Sequence, residues 1–227
     1  MKNTIIIACL LCCFASCKTE TLFQSNFDAT AINTSPAHVQ QVGTANIDGP
    51  AGVVKVVASP VGSGGKWIQI SRSSEQQSVS GFQGNFSKFV GDGTYTFSAV
   101  MFMPAGSGLA TIQFEQFGQP VSTLTSFMHI DFTQDNKVRI DDNDATKFGS
   151  FPRGQAFIVQ VTLNINATAS TAHIVLSGAD ASGTADYTVL PPFRSMARQF
   201  GAVRLWMGFP WTGFFDATNI LVTHNLQ

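Results

Sequence analysis

Phe157-Ile-Val-Gln-Val-Thr-Leu-Asn-Ile165 alternates without a break: Phe157, Val159, Val161, Leu163 and Ile165 fall on one face, and Ile158, Gln160, Thr162 and Asn164 on the other. A period of two is that of a β-strand with one face against a core. The stretch 94–103 repeats it, with Tyr95, Phe97, Ala99, Met101 and Met103 opposite Thr94, Thr96 and Ser98. Working outward, shorter runs at 53–58, 66–71, 110–117, 126–133, 137–141, 171–177, 202–209 and 214–223 read as further strands. Turn signals punctuate them, among them Gly91-Asp-Gly93, Pro104-Ala-Gly-Ser-Gly108, Gln134-Asp-Asn136 and Asp180-Ala-Ser-Gly183. No segment beyond the N-terminal leader carries a helical stripe, and no fixed-period repeat is present. Ten or more strands in one continuous run predict an all-β domain of two antiparallel sheets packed face to face. A closed up-and-down barrel is the alternative, and faces as polar as Thr94, Thr96 and Ser98 argue against contact with lipid.

The composition agrees. Of 227 residues, 12% are charged, about half the usual share, whereas 44% are hydrophobic and 20 are phenylalanine. A disordered or coiled-coil chain is excluded. Fourteen acids stand against thirteen bases, leaving no basic excess to neutralise a phosphate backbone, so nucleic acid is not an expected partner.

The first residues form a separate unit. Lys2 is followed by an apolar run over 5–15, too short to cross a bilayer and laid out as a signal peptide. Phe14-Ala15-Ser16-Cys17 resembles the lipobox of bacterial lipoproteins, in which the cysteine is acylated and becomes the mature N-terminus. That resemblance implies a signal peptide at 1–16, a lipidated tether at 17–21 beginning with Cys17, a β-sandwich domain at 22–227, and a place on the bacterial cell envelope with membrane contact through the lipid only. Plain secretion with cleavage near Ala15 is the alternative. All four cysteines (Cys9, Cys12, Cys13 and Cys17) lie in this segment, so the domain must be held by its core and not by disulfides.

Taken together, Leu22-Phe-Gln-Ser-Asn-Phe-Asp28, the strand pair 154–166 and 171–178, and the closing Phe214-Phe-Asp-Ala-Thr-Asn-Ile-Leu-Val-Thr223 resemble the concanavalin A-like jelly roll of lectins, laminin G-like domains, glucanases and polysaccharide lyases. The resemblance implies a sandwich whose first and last strands are neighbours and whose business is carbohydrate; fold alone does not choose between binding and cleavage. It also implies a structural calcium site of the kind found in relatives, for which Asp28 and Asp216, near the terminal strands, are the candidates. No other cofactor is expected.

The residues themselves narrow the chemistry. Glycosidases need paired carboxylates, and the three glutamates Glu20, Glu75 and Glu115 do not form the Glu-x-Asp-x-x-Glu pattern of the glucanases. Arg72-Ser-Ser-Glu75 is similar to the arginine–glutamate element of alginate lyases, and Gln113 to their Gln-x-His element, although the histidine, His129, lies on the following strand. Their tyrosine-rich C-terminal motif is missing, since Tyr95 and Tyr187 are the only tyrosines. A lyase of uronate polymers using Arg72, Gln113 and His129 is thus an alternative reading. The four histidines show no metal-ligand spacing, no nucleophile elbow or phosphate loop occurs, and Asp141-Asp-Asn-Asp144 reads as a solvated turn rather than a calcium loop.

Alternation names one face more. With Ile68, Ile70, Ile112, Phe114, Met128, Ile130, Val138, Ile140, Val203, Leu205 and Met207 inward, the outward set holds Trp67, Gln69, Gln113, Glu115, His129, Asp131, Arg139, Arg204 and Trp206. Trp211, in a loop at a strand end, is a further platform. Aromatic planes beside amides, carboxylates and guanidinium groups suit a sugar, whose apolar face stacks while its hydroxyls take directed hydrogen bonds. The expected function is a non-catalytic carbohydrate-binding module with a polysaccharide partner. Two alternatives stand beside it: the lyase, and a structural or adhesion lipoprotein whose outward side chains are split between two faces.

Overall fold

A computed structural model describes residues 18–226 except 38–39, 63 and 119–124; the leader and Cys17 lie outside the described residues. Among the described residues fifteen strands build two antiparallel sheets. The eight-stranded sheet runs β13 (Gly183–Thr188), β12 (Thr171–Ser177), β11 (Ala156–Ile165), β6 (Gly93–Phe102), β15 (Gly213–Leu226), β4 (Lys66–Arg72), β3 (Val54–Ala58), with β1 (Lys18–Ser25) also on β15. The seven-stranded sheet runs β10 (Asn143–Phe148), β9 (Val138–Ile140), β8 (Ser126–Phe132), β7 (Ala110–Gln116), β14 (Phe200–Met207), β5 (Ser80–Asn85), β2 (Thr44–Asp48). One short helical segment, a 3-10 turn at Pro191–Phe193 continued by α1 (Arg194–Ala197), precedes β14. No helix among the described residues is long and apolar enough to cross a membrane.

The architecture is the two-sheet sandwich that the alternation predicts. The first and last strands pair, from Lys18 opposite Leu226 to Ser25 opposite Ile220. β15 manages three neighbours by dividing its length: its first half pairs with β4, its second with β1, and β6 runs along the other side. The register shift on β6 falls between Thr218 and Leu221, where Asn219 takes a left-handed conformation with φ 50°. Residues 18–21, read from the sequence as a tether, are instead the outer half of β1: their polarity suits a strand with a solvent side, and Thr19 Oγ1 donates to Asn225 Oδ1 at 3.1 Å.

Strands β2, β5, β10 and β13 escape a reading by periodicity. Three of them are polar edge strands, and β5, Ser-Gly-Phe-Gln-Gly-Asn, carries one large apolar residue. Cross-strand neighbours, not intrinsic preference, hold them in the ladder. Their polarity has its own use, because a hydrophobic edge would recruit further strands.

Between the sheets lies a core of aromatic rings. Phe200 on β14 meets Phe86 at 4.7 Å, Tyr95 at 5.1 Å, Phe127 at 5.4 Å and Phe114 at 5.8 Å. Phe132, Phe151 and Phe157 form a second cluster, and Phe82 joins Phe23 and Phe27 in a third. The third depends on Gly84: a Cβ there would lie 2.5–2.8 Å from three carbons of the Phe23 ring. Gly84→Ala is therefore expected to destabilise the domain by about 1–3 kcal/mol through overpacking. Urea unfolding of variant and wild type measures it, and an unchanged midpoint would show that the Phe23 ring has room to move.

Candidate functional site

The centre of the seven-stranded sheet turns a polar grid outward. Register places Arg139, Asp131, Thr111 and Trp206 side by side across β9, β8, β7 and β14. The next row is His129, Gln113, Arg204 and Gln83, the last on β5. Glu115 on β7 lies beyond Gln113. Over this grid opens a cavity of about 260 Å³ lined by Leu109, Thr111, Gln113, His129, Asp131, Asp142, Trp206, Gly208, Phe209 and Trp211. Leu109 and Trp211 also wall a neighbouring depression with Arg139, Asp144 and Lys147.

One wall is the hairpin between β9 and β10. Asp141 and Asp142 form its two-residue turn, both left-handed with φ 53° and 56°, as tight hairpins of this length require. The turn aims the two carboxylates differently. Asp141 is clamped: its Oδ1 accepts the His129 backbone N–H at 2.8 Å, and Oδ2 accepts the Tyr187 hydroxyl. Burial and the adjacent Asp141 push the Tyr187 hydroxyl above the usual phenol range. Asp142 stays at the mouth, its side chain 70% exposed, with Oδ2 3.2 Å from His129 Nε2.

Arg139 ties the wall together. Its Nε donates to Asp131 at 3.0 Å, Nη2 to Asp142 at 2.7 Å and Nη1 to Asp144 at 3.0 Å. Asp131 also accepts from Thr111 Oγ1 at 2.7 Å; burial nevertheless raises its pKa, against the opposing pull of His129. One ligand atom each of His129, Asp131 and Asp142 lies within 4.8 Å of the others, the spacing of a metal triad. The guanidinium of Arg139 already bonds two of those carboxylates, so an ion would have to displace a fixed cation. The turn is solvated as read, with Asp142, Asn143 and Asp144 exposed, and Arg139 braces it from the sheet side.

The floor is more deeply covered. Arg204 is 3% exposed, pairs through Nη2 with Asp48 Oδ2 at 2.9 Å, and lies 5.1 Å from the centre of the Trp206 ring. Gly208 lets that indole lie against the backbone, since a Cβ there would be 2.2 Å from Trp206 Cζ3. Beside Arg204, both oxygens of Glu115, Oε1 of Gln83, Oε1 of Gln113 and Nε1 of Trp206 have no hydrogen-bond partner among the described residues. Each such buried group costs about 1–3 kcal/mol. Burial raises the Glu115 pKa from an ordinary 4.5 to about 7, with Arg204 pulling it down and Asp48 pushing it up.

Of the residues singled out from the sequence, Gln113, His129, Asp131, Trp206 and Trp211 line the cavity. Arg139 braces its wall, and Glu115 and Arg204 lie in its covered floor. Trp67 belongs elsewhere: it sits on β4 in the opposite sheet, beside Val57 and only 4% exposed. Alternation tells inward from outward but not which sheet a strand joins, so the outward set does divide between two faces. Gln69 shares that other face, donating to Asp216 at 3.2 Å.

Asp216 is buried, and burial lifts its pKa to about 6. The carbonyl of Asp28 accepts Lys66 Nζ at 2.9 Å. Among the described residues this pair joins no three-ligand cluster, so the structure adds nothing to the calcium expectation. Arg72 is not free to meet a substrate carboxylate. It is 3% exposed and donates to the carbonyls of Ser78 at 3.1 Å, Trp211 at 2.6 Å and Gln76. With its guanidinium 5.3 Å from the Phe209 ring, it braces the loop that carries Phe209 and Trp211.

Sequence reading missed Leu109, Thr111, Asp142 and Phe209 as cavity residues. Thr111 was legible as the outward neighbour of Gln113 two residues on; Phe209 and Asp142 are loop positions, which no periodicity addresses.

No protein-family model matches the chain, and no curated protein matches it by sequence. Solved structures do. Lectin UEA-II, complexed with galactose, superposes with a TM-score of 0.50 at 11% identity, over 92% of this chain and 99% of its own. Arcelin-5, a lectin-like defence protein from Phaseolus vulgaris, gives 0.50 at 10% identity over the same shares. Lectin I from Ulex europaeus, with the methyl glycoside of α-L-fucose, gives 0.51 at 11%, over 86% of this chain and 96% of that one. The fold is a concanavalin A-like β-sandwich of the kind found in these lectins.

Glu115 yields a prediction. Its folded pKa is raised, so the folded protein holds a proton that the unfolded chain releases. The associated stability is full below pH about 4.5 and lost as pH rises through about 7. Glu115→Gln should therefore be more stable than wild type at pH 8 by about 1–3 kcal/mol, with little gain at pH 4. Urea titrations at the two pH values test this, and an identical pH slope in both proteins would clear Glu115 as the source.

Proposed function

We propose that the protein is a non-catalytic carbohydrate-binding module, exported and anchored to the bacterial cell envelope through a lipid on Cys17, and that its glycan lies across the outer face of the seven-stranded sheet. The observation that carries the binding reading is the composition of the cavity. Trp206, Phe209 and Trp211 line one opening together with the Gln113 side chain, Phe209 being 67% exposed. Stacking surfaces with a few fixed polar groups are what a sugar ring requires. At about 260 Å³ the opening is smaller than the ~300–1,000 Å³ usual for drug-sized ligands, which suits one unit of a longer chain. The lectin fold supports the same class of ligand, and the lipobox-like Phe14-Ala-Ser-Cys17 supports the anchor.

The lyase alternative retains Gln113 and His129, which face each other across β7 and β8. It loses Arg72 to backbone carbonyls, and no lysine or arginine is among the described residues lining the cavity. Of the three residues that reading names, Gln113 and His129 stand at the opening and Arg72 does not.

The test is affinity electrophoresis of the domain from Lys18 onward against a panel of neutral, amino and uronate polysaccharides, with ultraviolet absorbance followed in parallel. Retardation without new absorbance is expected, and Trp206→Ala or Trp211→Ala should weaken it roughly tenfold, the loss of one stacking contact. Absorbance rising on a uronate polymer would establish the lyase instead; both variants binding like wild type would move the site elsewhere.

A further inference from the structure

One end of the sandwich is unlike the rest of its surface. We propose that this end is a membrane-docking surface, at which Phe89, Phe117, Leu190 and Phe193 enter the interfacial region of a lipid bilayer and hold the domain on it in one orientation. The inference rests on the lipid anchor at Cys17 proposed above and is independent of the glycan reading.

Register places these side chains at the end where the described chain begins. One row of residues crosses the larger sheet from β1 to β13: Thr19, Asn225, Thr94, Asn164, Thr171 and Thr188. β1 starts at Lys18, one residue outside that row, and β13 finishes in it, so Lys18 and the segment 190–193 leave the sheet at the same end. In the other sheet Gln116 pairs with Phe200, and the Phe117 backbone N–H donates to the Gln199 carbonyl at 2.6 Å. The two sheets meet here through the segment after β5. Lys88 Nζ lies 2.6 Å from Glu20 Oε1 on β1, and the Phe89 ring lies 5.8 Å from that of Phe117.

Among the described residues eight large apolar side chains are exposed, and these four, each between 37% and 49%, are half of them. Pro191 and Pro192, between Leu190 and Phe193, are exposed as well. Apolar side chains scattered singly over a surface need no explanation, but a group gathered on one end marks a place that something apolar covers.

The start of β1 decides what covers it. Because residues 18–21 are strand, paired to β15 from Lys18 onward, Cys17 is joined to the sandwich without a spacer. One Cα step, about 3.8 Å, separates it from Lys18. Acyl chains on Cys17 that enter the hydrocarbon therefore keep Lys18, and this end with it, at headgroup level; a soluble partner would have to compete with the bilayer for the same face. The charges agree. Among the described residues of 18–20, 87–92, 117–118 and 190–199, Lys18, Lys88, Arg194 and Arg198 stand against Glu20 and Asp92. That cationic excess suits anionic headgroups. A single acyl chain holds a protein only marginally, and an apolar surface at the same point adds a second attachment.

Docking in this way leaves the glycan opening clear of the lipid. From Gln116 to Thr111, β7 runs away from this end for about 17 Å, and Phe209 and Trp211 follow the far end of β14.

The experiment uses the full chain, processed and acylated in a bacterial host and reconstituted into vesicles of zwitterionic and anionic phospholipid. The described chain has no cysteine of its own, so Phe89→Cys, Phe193→Cys and Ala105→Cys each accept one nitroxide, all at exposed positions. Ala105 follows β6 at the opposite end and serves as the reference. The reporters at 89 and 193 should lie about 5–10 Å below the headgroup level, with the reporter at 105 in water. In the domain from Lys18 onward, free of lipid, all three should be open to water. Reporters at 89 and 193 as wet as that at 105, on protein that floats with the vesicles, would overturn the docking surface and leave the anchor standing. Shielding at 89 and 193 in the lipid-free domain would assign the end to a second copy of the chain and overturn the proposal. Full-length protein that carries no acyl group and does not float would overturn the anchor and this inference together.

Discussion

Everything in this molecule follows from the packing of aromatic rings between two sheets. Phe200 alone touches rings from β6, β7, β8 and the loop after β5, and so ties both layers together at the middle of the seven-stranded sheet. With few charges and no cysteine in the described chain, no other interaction is large enough to hold about 200 residues in register. The alternation that buries those rings has a second effect: it turns the intervening residues of β7, β8 and β14 outward in fixed positions. The Phe114 side chain going in is what brings Gln113 and Glu115 out.

Once outward, those side chains had two fates. Around His129 they were satisfied by one another, through a left-handed hairpin turn and an arginine that serves three aspartates. Over the floor they were covered without full compensation, as the unpaired atoms of Gln83, Gln113, Glu115 and Trp206 show. Such groups destabilise a domain that has no use for them. Several of them lie together beside an aromatic-lined opening, and that grouping distinguishes this face. Arg72 and Gly208 act at one remove, the first by tying down the loop that carries Phe209 and Trp211, the second by making room for the Trp206 indole.

Strands such as β6, β11 and β12 were legible because both a buried and a solvated face write a period of two into them. β5 was not, since its glycines make room for neighbours, Phe23 at Gly84 and the Trp206–Arg204 pair at Gly81, and leave no pattern of their own. In the site, Gln113, His129, Trp206 and Trp211 could be named because the first three alternate with core residues and the last sits in a loop rich in glycine and proline. Trp67 alternates equally well, yet its strand joins the other sheet.

By itself the sequence determined that the chain is all-β, that it forms a sandwich, and which side chains of each long strand point inward, because a period of two is local and every residue carries it. Which sheet each strand entered, which outward side chains became neighbours, and which of them stayed open to a ligand were decided only by the tertiary structure. Those facts depend on pairings between residues as far apart as Asp131 and Trp206, joined through Thr111, and on loops whose course is set by what they cover. Arg72 shows the difference most clearly. Its charge is visible in the sequence, and its commitment to three backbone carbonyls is visible only where the chain has folded back to supply them.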